Sequence, residues 1–195
     1  MIKIDASLMR NLCEGLVGYG SFESRAGLGS VMSELVFYMP TLRIAKHLQW
    51  QTRVEYEAAF KKNTKGDKPR VDFAFKRNSK SSGSHGVIIE MKWNPPFLKK
   101  DTAIKLLDSE WDKLQFLKKS KEWKSLDNFS AWQLVLGRKK SISKIDPTKL
   151  KLINSKNDME WCPDISFSTD SGLQYFCNAY RVIERTIPLN RPRTK

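Results

Sequence analysis

The spacing of apolar and polar positions changes several times along the chain, and each change marks an element. Leu8, Leu12 and Leu16 recur every four residues behind Asp5 and Ser7. That spacing predicts a helix over 5–18, capped by one of those two polar residues. Gly18, Gly20, Gly27 and Gly29 then predict a loop. A second helix is expected over 30–39, ended or bent by Pro40, with Thr41 capping a continuation to about residue 48. Over 51–60 the period falls to two, Val54, Tyr56, Ala58 and Phe60 alternating with Arg53, Glu55 and Glu57. This predicts a strand with a solvated acidic face, on which Glu55 is a reserve candidate for a site.

A basic loop over 61–70 leads to two apolar strands, 71–75 and 87–93. The Ser/Gly-rich connector between them, 78–86, is flexible by composition and able to close over a substrate. Asn94-Pro95-Pro96 stops the second of these strands. Asp101 caps a predicted helix to about residue 119, striped by Ile104, Leu107, Trp111 and Leu114. A fourth strand is expected over 131–137, whereas Pro163 excludes a central strand around 161–164. Leu173, Phe176, Tyr180 and Ile183 predict a last helix over 172–186, followed by a disordered tail.

Strands 71–75 and 87–93 carry three charges, Asp72, Glu90 and Lys92, among Val, Ile and Phe. Alternation places Val71, Phe73 and Phe75 on one face, with Asp72 and Ala74 on the other. Ile89, Met91 and Trp93 likewise oppose Ile88, Glu90 and Lys92. An unpaired charge is costly to bury, so these three need a reason. A solvated hairpin face on which Lys92 pairs with an acid is one. A site in which two carboxylates hold a divalent cation beside a working lysine is the other. Glu-x-Lys alone decides nothing, since Glu122-Trp123-Lys124 repeats it in a polar stretch. The Glu90 copy differs in ending an apolar strand, with an Asp-bearing strand 18 positions upstream.

Asp72 in one strand, Glu90-x-Lys92 in the next and Glu34 on an earlier helix resemble the PD-(D/E)XK nuclease superfamily. The likeness spans roughly residues 28–138. Pro69 stands three positions before Asp72, so the literal Pro-Asp is absent, a looseness many members share. The resemblance implies an α/β fold with a restriction-endonuclease-like core, αβββαβ. In that core a central mixed β-sheet of about four strands is flanked by helices. Residues 1–195 would then form a single domain, with helices 5–18 and 172–186 packed on the core. It also implies a Mg²⁺-dependent endodeoxyribonuclease, with Mn²⁺ able to substitute. Asp72, Glu90 and the Met91 carbonyl would be metal ligands, and Lys92 would contact the attacking water or the scissile phosphate. Glu34 would orient a water or a second ion, although a helix-dipole role explains its position equally well. Gln115 is the auxiliary polar candidate. Lys119 occupies the position where the RecB-like exonuclease branch carries Tyr, which argues against that branch.

Charge adds a partner to this picture. The net charge is +14, and residues 61–156 hold all of the excess, 24 Lys/Arg against 10 Asp/Glu. Such a surface concentrates a polyanion and releases counterions on binding. Lys61, Lys62, Lys65, Lys68, Arg70, Arg138, Lys139 and Lys140 are the expected nucleic-acid contacts, with duplex DNA the expected partner. A homodimer or a partner protein fits a need to cut both strands. The alternative is a non-catalytic nucleic-acid binder on the same fold, or a nuclease subunit active only in a larger complex. No membrane partner is expected, since no apolar run approaches the ~20 residues of a bilayer span. Cys13, Cys162 and Cys177 form no close pair, and the start lacks a secretory apolar core. A reduced, cytoplasmic setting follows as the expectation. His47 and His85 are read as surface or packing residues, without a structural zinc.

Overall fold

Leu8, Met9, Leu12, Cys13, Leu16, Val17 and Gly20 are all buried on one stripe of helix α1 (Ile4–Arg25). That three- and four-residue rhythm is what a helix needs to cover a sheet. The computed structural model describes residues 4–27, 32–57, 70–80, 83–94, 114, 126, 128–138, 159–168 and 175–182. After α1 come a 3-10 turn (Glu34–Phe37) and helix α2 (Tyr38–His47). Six strands follow: β1 (Gln51–Glu57), β2 (Arg70–Ser79), β3 (Gly83–Asn94), β4 (Asn128–Arg138), β5 (Met159–Ser168) and β6 (Tyr175–Val182).

The strands form one mixed sheet in the order β1-β2-β3-β4-β6-β5. Among the described strands only β3 and β4 run parallel, Glu90 lying level with Gln133 and Lys92 with Val135. A parallel pair needs a crossover, and the long connection after β3 supplies the chain for one. The fold is therefore α/β. On one face α1 packs over β5 and β6, and α2 packs against α1 and β1. There Phe73, Phe75, Ile89, Met91, Trp132, Leu134, Tyr175 and Cys177 join the helices in the larger core. On the other face Val71, Ala74, Ile88, Ala131 and Val182 pack with Leu114 from the crossover. With layers on both sides, β4 is buried along residues 130–137.

Several expectations need correcting. The span 172–186 was expected to be helical, yet β6 is a strand between β4 and β5, with every side chain from Tyr175 to Tyr180 buried. Only a strand sandwiched between two layers buries consecutive residues in that way. Helix α1 continues to Arg25 through Gly18 and Gly20, where a loop was expected. Gly20 is there for close packing: a Cβ on it would sit 3.1 Å from the Tyr175 ring. Pro40 neither ends nor bends the second helix but lies in the first turn of α2, where its missing N–H costs nothing. Thr41 is no cap; it is buried inside α2 and donates its hydroxyl proton to the Phe37 carbonyl.

The flexible connector is also largely strand. Pairing runs on through Arg77–His85 and Asn78–Ser84 to Ser79–Gly83. Gly83, at φ +79°, supplies the left-handed backbone that follows the short turn. Among the described residues the sheet has six strands rather than about four. Pro163 is where the rule for proline puts it, in edge strand β5 between Trp161 and Ser166, where the pairing register shifts. The helix over 101–119, apart from Leu114, and the tail lie outside the described residues.

Candidate active site

The expected site forms where β2 parts from its neighbours. Pairing of β2 with β3 ends at Phe73–Ile89, so Asp72 and Glu90 fall just past the last paired position. On the other side, pairing with β1 lapses opposite Asp72, at Glu55, whose φ of +46° is rare for a residue with a side chain. The alternation of β2 slips here. Phe73 and Phe75 join the larger core, but Val71 packs with Ala74 on the opposite face, against the expectation that all three share one side. Asp72, half-buried, is turned toward α2 and β3 instead.

Its two carboxylate oxygens have separate donors. Tyr38 donates its hydroxyl proton to Asp72 Oδ1 at 2.5 Å, and the Met91 N–H donates to Oδ2 at 2.7 Å. The second bond replaces the cross-strand partner that the parting of β2 and β3 removes, as a buried amide requires. Glu34, from the 3-10 turn, comes to the same stretch of β3. Its Oε2 accepts the Trp93 N–H at 3.2 Å and lies 3.9 Å from Lys92 Nζ. Both side chains of that pair are partly exposed, so it contributes position more than stability. Three of the four residues singled out, Glu34, Asp72 and Lys92, therefore meet along Met91, Lys92 and Trp93.

Glu90 shares the alternation of Lys92 on β3 but is the buried member of the set. It is 2% exposed and level with Gln133 of β4, which is 1% exposed and level in turn with buried Tyr180 of β6. Strand alternation puts all three on the face of Ile88, Ala131 and Val182, forming a polar row across the middle of the sheet. A buried carboxylate is maintained only where polar groups or a cation answer it.

Two neighbours escaped the sequence reading. Tyr38 carried no signal in the sequence, being one aromatic in an apolar helix. Gln133 did carry one, since a Gln within 131–137 is as conspicuous as Glu90 within its own strand. Tyr38 is also the focus of local charge. Its hydroxyl lies 3.3 Å from Glu55 Oε1 as well as against Asp72. Burial first, then the Asp72 hydrogen bond and the charges of Asp72, Glu55 and Glu34, push its phenol well above the ordinary value. The shift favours the protonated phenol that donates to Asp72.

Beneath the site Phe37, Trp93 and Tyr175 stack in sequence, with centroids 5.5 and 6.1 Å apart. The stack fixes Trp93, and with it the main-chain N–H that holds Glu34. Arg70 begins β2 and Arg138 ends β4, so both lie at the end of the sheet that carries Asp72 and Lys92. Lys61, Lys62, Lys65, Lys68, Gln115, Lys139 and Lys140 lie outside the described residues.

No group of three or more His, Cys, Asp or Glu side chains is gathered to hold a metal among the described residues. The expected donor set has two carboxylates, Asp72 and Glu90, and the Met91 carbonyl. An all-oxygen set with few protein ligands is the chemistry Mg²⁺ accepts, because it keeps several waters. In donor chemistry these residues suit that ion. No helix among the described residues is long and apolar enough to cross a membrane. No family model matches the chain, and neither a curated protein nor a solved structure matches it.

Proposed function

We propose that this protein is a metal-dependent nuclease of PD-(D/E)XK type that cleaves phosphodiester bonds in duplex DNA. The observation that carries the reading is the parting of β2 from β3 at Asp72 and Glu90. Around it Glu34, Asp72 and Lys92 converge on three consecutive residues of β3. The order of elements supports it too: helices, three antiparallel strands, a crossover, then a strand parallel to the third.

In this reading Asp72, Glu90 and the Met91 carbonyl would hold Mg²⁺. When bound, the ion supplies positive charge that stabilises the phosphate's developing negative charge and acidifies a coordinated water. Lys92 has a compact ammonium on a flexible stem, suited to a scissile phosphate oxygen or the attacking water. Glu34, 3.9 Å from the Lys92 ammonium, would help to place it beside the main chain of β3. Arg70 and Arg138 lie at the same end of the sheet and would take flanking phosphates.

Supercoiled plasmid incubated with the protein and Mg²⁺ or Mn²⁺ tests this directly. Nicking or linearisation that stops with EDTA is the expected result. Asp72→Ala, Glu90→Ala and Lys92→Ala should each lower cutting by at least 100-fold while salt-dependent DNA binding persists. Three variants that cut like the parent would remove the site assignment. A parent that binds duplex and never cuts would make the protein a non-catalytic binder.

A further inference from the structure

We propose that Tyr38 is a positioning residue that fixes the plane of the Asp72 carboxylate for a divalent cation. The inference rests on the nuclease reading, since it assigns a role toward the same carboxylate.

Asp72 sits where β2 has lost its regular pairing to both neighbours, so the sheet ladder does not hold its side chain. Two donors do so instead. The Tyr38 hydroxyl takes Oδ1 from the α2 side, and the Met91 N–H takes Oδ2 from β3. Rotation of the carboxylate about its last bond would break both contacts at once. An ionised carboxylate offers about four lone-pair sites. Two are used here, which leaves one on each oxygen for a cation.

The donor is itself held in place. The Tyr38 ring packs on Phe73 with centroids 4.7 Å apart and planes tilted by 58°. Phe73 in turn stacks on Phe75 within the larger core. A hydroxyl has one proton to give, and Glu55 Oε1, at 3.3 Å, is the more distant of the two acceptors. The short bond to Asp72 is therefore the one that orients. Groups that orient a ligating carboxylate typically carry 10–100-fold of metal affinity.

Electron spin resonance of free Mn²⁺, titrated against the full chain without nucleic acid, tests this. Tyr38→Phe keeps the ring and removes only the hydroxyl. It should weaken Mn²⁺ binding about 10–100-fold. In plasmid cleavage the same variant should need correspondingly more Mn²⁺ and approach the parent rate at saturation. Glu55→Gln removes the charge beside the Tyr38 hydroxyl but leaves the Tyr38–Asp72 bond, and should shift Mn²⁺ affinity far less.

A Tyr38→Phe protein that binds Mn²⁺ as tightly as the parent, while Asp72→Ala does not, overturns the inference and leaves the nuclease reading standing. Equal weakening by Glu55→Gln and Tyr38→Phe overturns it as well, because summed charge would then hold the ion. A parent that binds no Mn²⁺ overturns both.

Discussion

Two glycines in one helix should respond to the same substitution with opposite signs. Gly18 and Gly20 are both inside α1, where Gly is about 1 kcal/mol worse than Ala. At Gly18 an added Cβ meets nothing within 4 Å. Gly18→Ala should therefore stabilise the protein by about 0.5–1 kcal/mol, or roughly 1–4 °C in Tm for a chain of this size. At Gly20 the added Cβ would lie 3.1 Å from Tyr175 Cδ1, 3.3 Å from its Cγ and 3.5 Å from Phe37 Cε1.

Those rings have little room to give. The Tyr175 hydroxyl is hydrogen-bonded to Ser24 Oγ, its ring stacks on Trp93, and both Tyr175 and Phe37 are buried. Overpacking a well-filled core costs about 1–3 kcal/mol, which exceeds the propensity gain. Gly20→Ala should destabilise by about 1 kcal/mol net. Urea unfolding of parent and both variants, followed by tryptophan fluorescence, measures the two signs in one experiment. If Gly20→Ala raises the midpoint as much as Gly18→Ala does, the close approach of α1 to Tyr175 is wrong. The packing account of the stack beneath Trp93 would then fall with it.

Two further predictions concern the thiols. Cys13 and Cys177 are both buried and free, with sulfurs 3.3 Å apart. In a Cys162→Ser background both should react with Ellman's reagent orders of magnitude more slowly in native protein than in denaturant. Fast native labelling would refute their burial. Burial first, then the Cys177 contact, pushes the Cys13 thiol well above its ordinary value. The unfolded thiol ionises from about pH 8.5 while the folded one keeps its proton, so the unfolded state then binds fewer protons. The contribution is thus complete below that pH and declines above it, by at most about 1.4 kcal/mol per pH unit. Cys13→Ala should flatten the loss of unfolding free energy between about pH 8.5 and 10. Parallel slopes for parent and variant would refute the shift.

Local pattern was enough for the α1 stripe, for the strands around Asp72 and Glu90, and for the charges that do not belong among their apolar neighbours. Such features depend on residues a few positions apart, where the period of a helix or strand acts directly. Pro163 ruled out a central strand, but the edge strand β5 that holds it was not expected. Phe176 and Tyr180 show where pattern fails. Residues four apart share a side in a helix and also in a strand, so their spacing fits both. Burial of the residues between them settled the matter, and that required β4 and β5 on either side and layers above and below.

Tertiary structure also decided Gly20 of α1, whose missing Cβ leaves room for a ring from β6. The thiol pair, 164 residues apart in sequence, owes its contact to the packing of α1 on that strand. The surroundings of Asp72 belong to the same class. Its charge was visible in the chain, but the Tyr38 hydroxyl and the Met91 amide reach it only because two strand pairings lapse at one point. Where a ladder stops is set by how the sheet meets its covering helices, and the residues of one strand do not contain that information.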